Sequence, residues 1–142
     1  MTNPDQELVD AASAVIEQRS DGFRHTVGAA ARDVHGAVHT AVNVYHFTGG
    51  PCAELVVLGA AWAAGATELE SIVAVGDGGR GVVPPCGRCR QVMADLHPAI
   101  RVIVPSGDGS LSAVVASELL PFGYVAGPET AKERRGRMTD PG

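Results

Sequence analysis

Apolar side chains recur at Leu8, Ala11, Ala12, Val15 and Ile16, the spacing of one helix face, and predict an amphipathic helix over residues 4–18. Asn3-Pro4 supplies a cap and a first-turn proline, and Ser20-Asp21-Gly22 a stop. Residues 27–31 and 37–44 read as strands, with turn chemistry at 33–36 between them, which makes a hairpin. A second helix is expected from Cys52 to about residue 64. It is apolar almost all round (Leu55, Val56, Val57, Leu58, Ala61, Trp62), so it should be covered on most sides by a sheet and by another layer or a neighbouring subunit, with Trp62 in the core. Short strands follow at 72–75, 100–104 and 111–113. A third helix spans 86–96 between Pro85 and Pro98, and a short one 114–120. This order implies one α/β layered domain over residues 1–126 with a mixed sheet, antiparallel at the hairpin and parallel where helices cross over. The polar end, 127–142, is expected to be a loose tail.

Composition narrows the chemistry. The chain has 142 residues, 45% of them hydrophobic but only 4% aromatic, so the core is built from small and branched aliphatics. A net charge of -5 argues against a nucleic-acid partner, because phosphate binding rests on clustered Lys and Arg. No apolar run approaches the roughly 20 residues of a membrane span, and no signal-peptide pattern opens the chain. Three Cys cannot all pair with one another, which disfavours a disulfide framework and suggests a reducing cytoplasm.

The positions of those Cys carry the chemical signal. Cys86 and Cys89 stand in Pro-Cys-Gly-Arg-Cys, where i and i+3 share a helix face. Cys52 opens the preceding helix after Gly-Gly-Pro. Helix N-termini favour thiolates, so two of them can converge on one cation. A structural zinc site is closed by four protein ligands, whereas a catalytic one leaves a position for water. Three Cys suit the open kind, with His46 and His97 as the residues that could close it. Glu54 follows one spacer after Cys52, the arrangement of zinc deaminases: a ligand, a spacer, a Glu that is not a ligand, then Pro-Cys-x-x-Cys. Three thiolates donate much charge and blunt the metal's acidifying effect on water, so a base at Glu54 is needed to move the protons. Arg80, Arg88 or Arg90 could hydrogen-bond the sulfurs and restore part of that acidity.

Cys52-Ala53-Glu54, Pro85-Cys86-Gly87-Arg88-Cys89-Arg90-Gln91, and the run 42–59 around the first of these, resemble the cytidine deaminase family, most nearly its blasticidin S deaminase branch. The likeness is firm over about 40–125 and faint before. It implies a three-layer α/β/α fold around a five-stranded mixed sheet, a Zn2+ cofactor on Cys52, Cys86 and Cys89, and Glu54 as proton shuttle. It also implies a homotetramer whose neighbouring subunits help enclose each site. By the same resemblance Asn43 contacts the sugar part of a nucleoside, Tyr124 stands near the pocket, and His25 falls where an aromatic ring faces the pyrimidine. Tyr45 stands where ordinary members carry a Glu for a ribose hydroxyl, which favours blasticidin S or a related aminopyrimidine nucleoside over cytidine. Ala126, in place of a branch Trp, and residues 25–30, which resemble ordinary members, point instead to a cytidine or deoxycytidine deaminase of pyrimidine salvage. Two readings from other classes remain: a non-catalytic zinc-stabilised binding domain, with four protein ligands, and a dithiol redox protein, with a Cys86–Cys89 disulfide.

Overall fold

The structure is a computed structural model, and it describes residues 2–125. Ala126 and the expected loose tail lie outside the described residues. Helix α1 (Asn3–Arg19) is capped by Thr2, not Asn3: the Thr2 hydroxyl accepts from the Asp5 N–H, and the Asp5 carboxylate accepts in return from the Thr2 N–H. Asn3-Pro4 therefore forms the first turn. Strands β1 (Val27–Asp33) and β2 (Val38–Val42) form the expected hairpin, with Asp33 accepting from the His35 and Ala37 N–H groups across the turn.

Helix α2 (Ala53–Ala63), strand β3 (Leu69–Gly76), the two-residue strand β4 (Gly81–Val82), helix α3 (Gly87–Leu96), and strands β5 (Arg101–Pro105) and β6 (Leu111–Val115) follow. The final expected helix is only a 3-10 turn, Ala116–Leu119. The strand order is β2-β1-β3-β5-β6, the five strands anticipated, with β3 and β5 parallel and the other pairs antiparallel. The sixth strand, β4, pairs only with Val75 and Gly76 at the end of β3, where β5 no longer runs beside it. No periodicity can announce a strand of two residues inside a Gly-rich loop.

Strand alternation sorts the core into two faces. Ala30, Val73, Val75 and Ile103 pack with Leu8, Val9, Ala12 and Ile16 of α1. Ala29, Ala31, Ile72, Val102 and Val104 face Ala53, Val57, Ala61, Cys89 and Met93 of α2 and α3. The result is a three-layer sandwich. Small residues on β1 let α1 lie close: a Cβ on Gly28 would stand 2.7 Å from the Ala12 carbonyl oxygen. Trp62 corrects the sequence expectation: it is 64% exposed, because α2 buries only the stripe through Ala53, Glu54, Val57, Leu58 and Ala61 in this chain. Among the described residues no helix is long and apolar enough to cross a membrane.

Candidate active site

Cys52 and Cys86 are the N-caps of α2 and α3, both in extended backbone and neither bonding its own helix through the side chain. Their sulfurs turn toward each other instead. Cys52 Sγ and Cys89 Sγ each lie 3.5 Å from Cys86 Sγ, and all three sulfurs fall within 4.8 Å of one another. Tetrahedral zinc with bonds of about 2.3 Å would hold its sulfurs about 3.8 Å apart, so the set fits that ion with little adjustment.

The electrostatics point the same way. Burial tends to raise the Cys86 thiol, but the Cys89 N–H, the two neighbouring sulfurs and the Arg88 N–H together bring it below the ordinary thiol value. Burial, followed by the Glu54 charge and the other sulfurs, pushes Cys89 far above it. Three thiolates beside a carboxylate cannot all ionise without a cation among them. Among the described residues this cluster contains no imidazole. His46 Nδ1 is engaged by the Thr48 hydroxyl, and His97 lines a separate groove with Leu55, Leu58, Trp62 and Val92.

Glu54, in the first turn of α2, is only 6% exposed, and burial raises its carboxyl group above the ordinary value. It shares a cavity of about 160 Å³ with Asn43, Cys52 and Cys86, walled by Val27 and Pro84. That volume takes a pyrimidine ring but falls short of the roughly 300–1,000 Å³ of a whole ligand pocket. The Trp62 groove is larger, about 570 Å³, yet its lining includes none of the three sulfurs.

The remaining sequence-derived residues divide. Asn43 reaches the cavity, but its Oδ1 already accepts from the Thr26 and Val27 N–H groups at 2.7 and 2.9 Å, so its amide braces the wall. His25 donates through Nδ1 to the Asn43 carbonyl at 2.7 Å. Tyr45 and Tyr124 are 54% and 73% exposed and do not line the cavity of the single chain. Arg88 bonds the Gly50 carbonyl at 2.8 Å and approaches Cys52 Sγ at 3.8 Å. Arg80 and Arg90 do not hydrogen-bond the sulfurs. Arg80 ties Asp77 to the Thr26 carbonyl, and Arg90 binds the carbonyls of Pro85 and Leu119. Sequence reasoning missed the brace beneath the cavity wall, in which Ser20 donates to Asp77 and Asp21 gathers the N–H groups of Phe23, Arg24 and His25. Its only local sign was the turn chemistry of Ser20-Asp21-Gly22.

The model of the cytidine and deoxycytidylate deaminase zinc-binding region matches residues 2–105. The chain belongs to the cytidine and deoxycytidylate deaminase family. Membership makes it a zinc-dependent hydrolytic deaminase. The chain is similar to blasticidin-S deaminase of Bacillus cereus, 32% identical over 134 residues, which are 88% of this chain and 95% of that protein. It is also similar to the cytidine deaminase of Halalkalibacterium halodurans, 39% identical over 106 residues, 72% of this chain and 80% of that one. The crystal structure of cytidine deaminase from Burkholderia pseudomallei superposes with a TM-score of 0.70 at 34% identity, covering 87% of this chain and 100% of that one. The family match takes in α1 and β1, where the sequence resemblance is faint.

Proposed function

We propose that this deaminase removes the 4-amino group of a cytosine nucleoside, with blasticidin S or a related aminopyrimidine nucleoside as its substrate. The observation that carries the reading is the meeting of three sulfurs and a buried carboxylate at one small cavity. Cys52, Cys86 and Cys89 are the residues that would hold zinc, and Arg88 steadies the charge on Cys52. Bound zinc supplies the Lewis acidity that makes water nucleophilic near neutral pH. Glu54 takes the proton of the attacking water. It passes protons to the ring nitrogen and then to the departing amine, which leaves as ammonia.

Tyr45 supports the finer assignment. A phenol replaces the carboxylate with which ordinary members, by the resemblance, bind a ribose hydroxyl, so a charged acceptor that cytidine would use gives way to a weaker, neutral one. Similarity to the Bacillus cereus protein over 95% of that protein's length agrees with it. The small cavity and the exposed Trp62 suit neighbouring subunits that close the mouth and cover the α2 face, and the count of four, a homotetramer, rests on the family resemblance. An absorbance assay across blasticidin S, cytidine and deoxycytidine tests the substrate. Faster turnover of blasticidin S supports this reading. Preference for cytidine or deoxycytidine would assign the chain to pyrimidine salvage instead, the role that residues 25–30 favour.

A further inference from the structure

Cys86 is the hub of the sulfur cluster, since both neighbouring sulfurs are measured at 3.5 Å from it. It is also the least secured of the three. It alone of the three is exposed, and it lies just outside α3. Its φ and ψ, -70° and 171°, are set by the two peptide groups that flank it. Arg90 holds both. Its backbone N–H makes the first bond of α3 to the Cys86 carbonyl at 3.0 Å, a contact of the helix itself that fixes the peptide after Cys86 whatever the side chain. Its Nε donates to the Pro85 carbonyl at 2.8 Å, fixing the peptide before. The remaining arm of the same guanidinium, Nη1, donates to the Leu119 carbonyl at 3.3 Å, and the adjacent Gln91 donates to the Tyr124 carbonyl at 3.1 Å.

We propose that Arg90 is a positioning residue that fixes the backbone of Cys86 and couples the metal-binding turn to the C-terminal segment 119–124. This rests on the reading of the sulfurs as a zinc site. Arg90 touches no sulfur. It acts through carbonyl groups, so its effect is on where Cys86 Sγ sits. A planar guanidinium can serve two carbonyls at once; a lysine ammonium on a flexible stem holds such a pair less well. The clamp on the segment also uses main-chain acceptors only, so its strength is set by Arg90 and Gln91, whichever side chains the segment carries.

The test is release of zinc from the full-length zinc-loaded protein into a chromogenic chelator, alongside the thiolate-to-metal absorption of the Co2+-substituted protein. The variants are Arg90→Met, Arg90→Lys and Gln91→Ala. Ile103→Val, a trim in the core on the opposite face of the sheet, is the control for lost stability. Residues that support metal ligands from behind typically contribute 10–100-fold to metal affinity, so Arg90→Met should release zinc about 10–100 times faster and shift the Co2+ spectrum. Arg90→Lys should fall between, Gln91→Ala should show a smaller acceleration, and Ile103→Val should match the parent. Arg90→Met releasing zinc at the parent rate, or no faster than the control, would overturn the proposal. If Arg90→Met does not fold, Arg90→Lys decides by the same criterion. A parent protein that binds no stoichiometric zinc would overturn the underlying metal reading instead, an outcome seen before any variant is compared.

Discussion

The guanidinium of Arg88, at the start of α3, reaches across to the sulfur of Cys52 at the start of α2, 3.8 Å away, while donating to the Gly50 carbonyl at 2.8 Å. The contact joins the two helix ends that carry the sulfurs and raises the Arg88 pKa further, first through its bond to Cys52. Thiolate charge that would otherwise quench the metal is partly drawn off by a cation that cannot itself deprotonate.

Arg88→Ala should therefore weaken zinc binding by about 10–100-fold while leaving the fold intact, because Arg88 is exposed. Competitive chelator titration with thermal melting of the metal-free protein checks both halves. An unchanged zinc affinity would show that the contact carries no charge relief.

Gly50 is where the turn before Cys52 has no room for a side chain. A Cβ there would stand 1.8 Å from the Val44 carbonyl oxygen and 2.9 Å from the His46 nitrogen, both backbone atoms. Gly50→Ala should destabilise the fold by at least about 1–3 kcal/mol, the usual range for forced overpacking, and should disturb zinc binding as well. Urea unfolding measures the first effect and metal stoichiometry the second.

The helices, the hairpin and the Cys86–Cys89 pairing were legible from spacing, whereas the three-layer fold, the five-stranded sheet and the role of Glu54 came from the likeness to known deaminases. The three sulfurs and the helices that present them follow from local sequence, because i, i+3 geometry and helix N-termini are local properties. Partners distant in sequence were not legible. Arg80, Arg88 and Arg90 all lie near the site in sequence, yet only Arg88 reaches a sulfur; the other two turn to carbonyl groups that the fold brings near. Trp62 misled for a related reason. An apolar helix signals burial but does not say whether the cover comes from the same chain.

Asp5 and Arg101 form a bidentate pair, 2.9 Å at each oxygen, that ties α1 to β5. The Arg101 bond holds the Asp5 carboxyl well below the usual carboxylate range even though burial opposes it. A depressed folded-state value means the stabilisation is present above the unfolded value of about 3.9 and is lost as pH falls below it. Asp5→Asn should cost about 1.5–3 kcal/mol at neutral pH, with the gap to the parent narrowing under acid. Chemical unfolding of both proteins from pH 7 down to pH 3 reads it, and a gap independent of pH would contradict the pairing.

By the resemblance that puts position 45 against the ribose, Tyr45→Glu should move selectivity toward cytidine by restoring a carboxylate acceptor for a ribose hydroxyl. The ratio of kcat/KM for cytidine over blasticidin S should rise at least tenfold, mostly through a lower KM for cytidine. A rise in neither parameter would remove Tyr45 from substrate choice.

The zinc content and turnover of Glu54→Gln bear most directly on the three-sulfur site with its separate proton carrier. The amide keeps the size of the carboxylate and is not a ligand, so the variant should retain one zinc per chain. It cannot carry protons, so deamination should fall by at least about 10²–10⁴-fold. A zinc-loaded Glu54→Gln protein that deaminates at the parent rate would contradict the account.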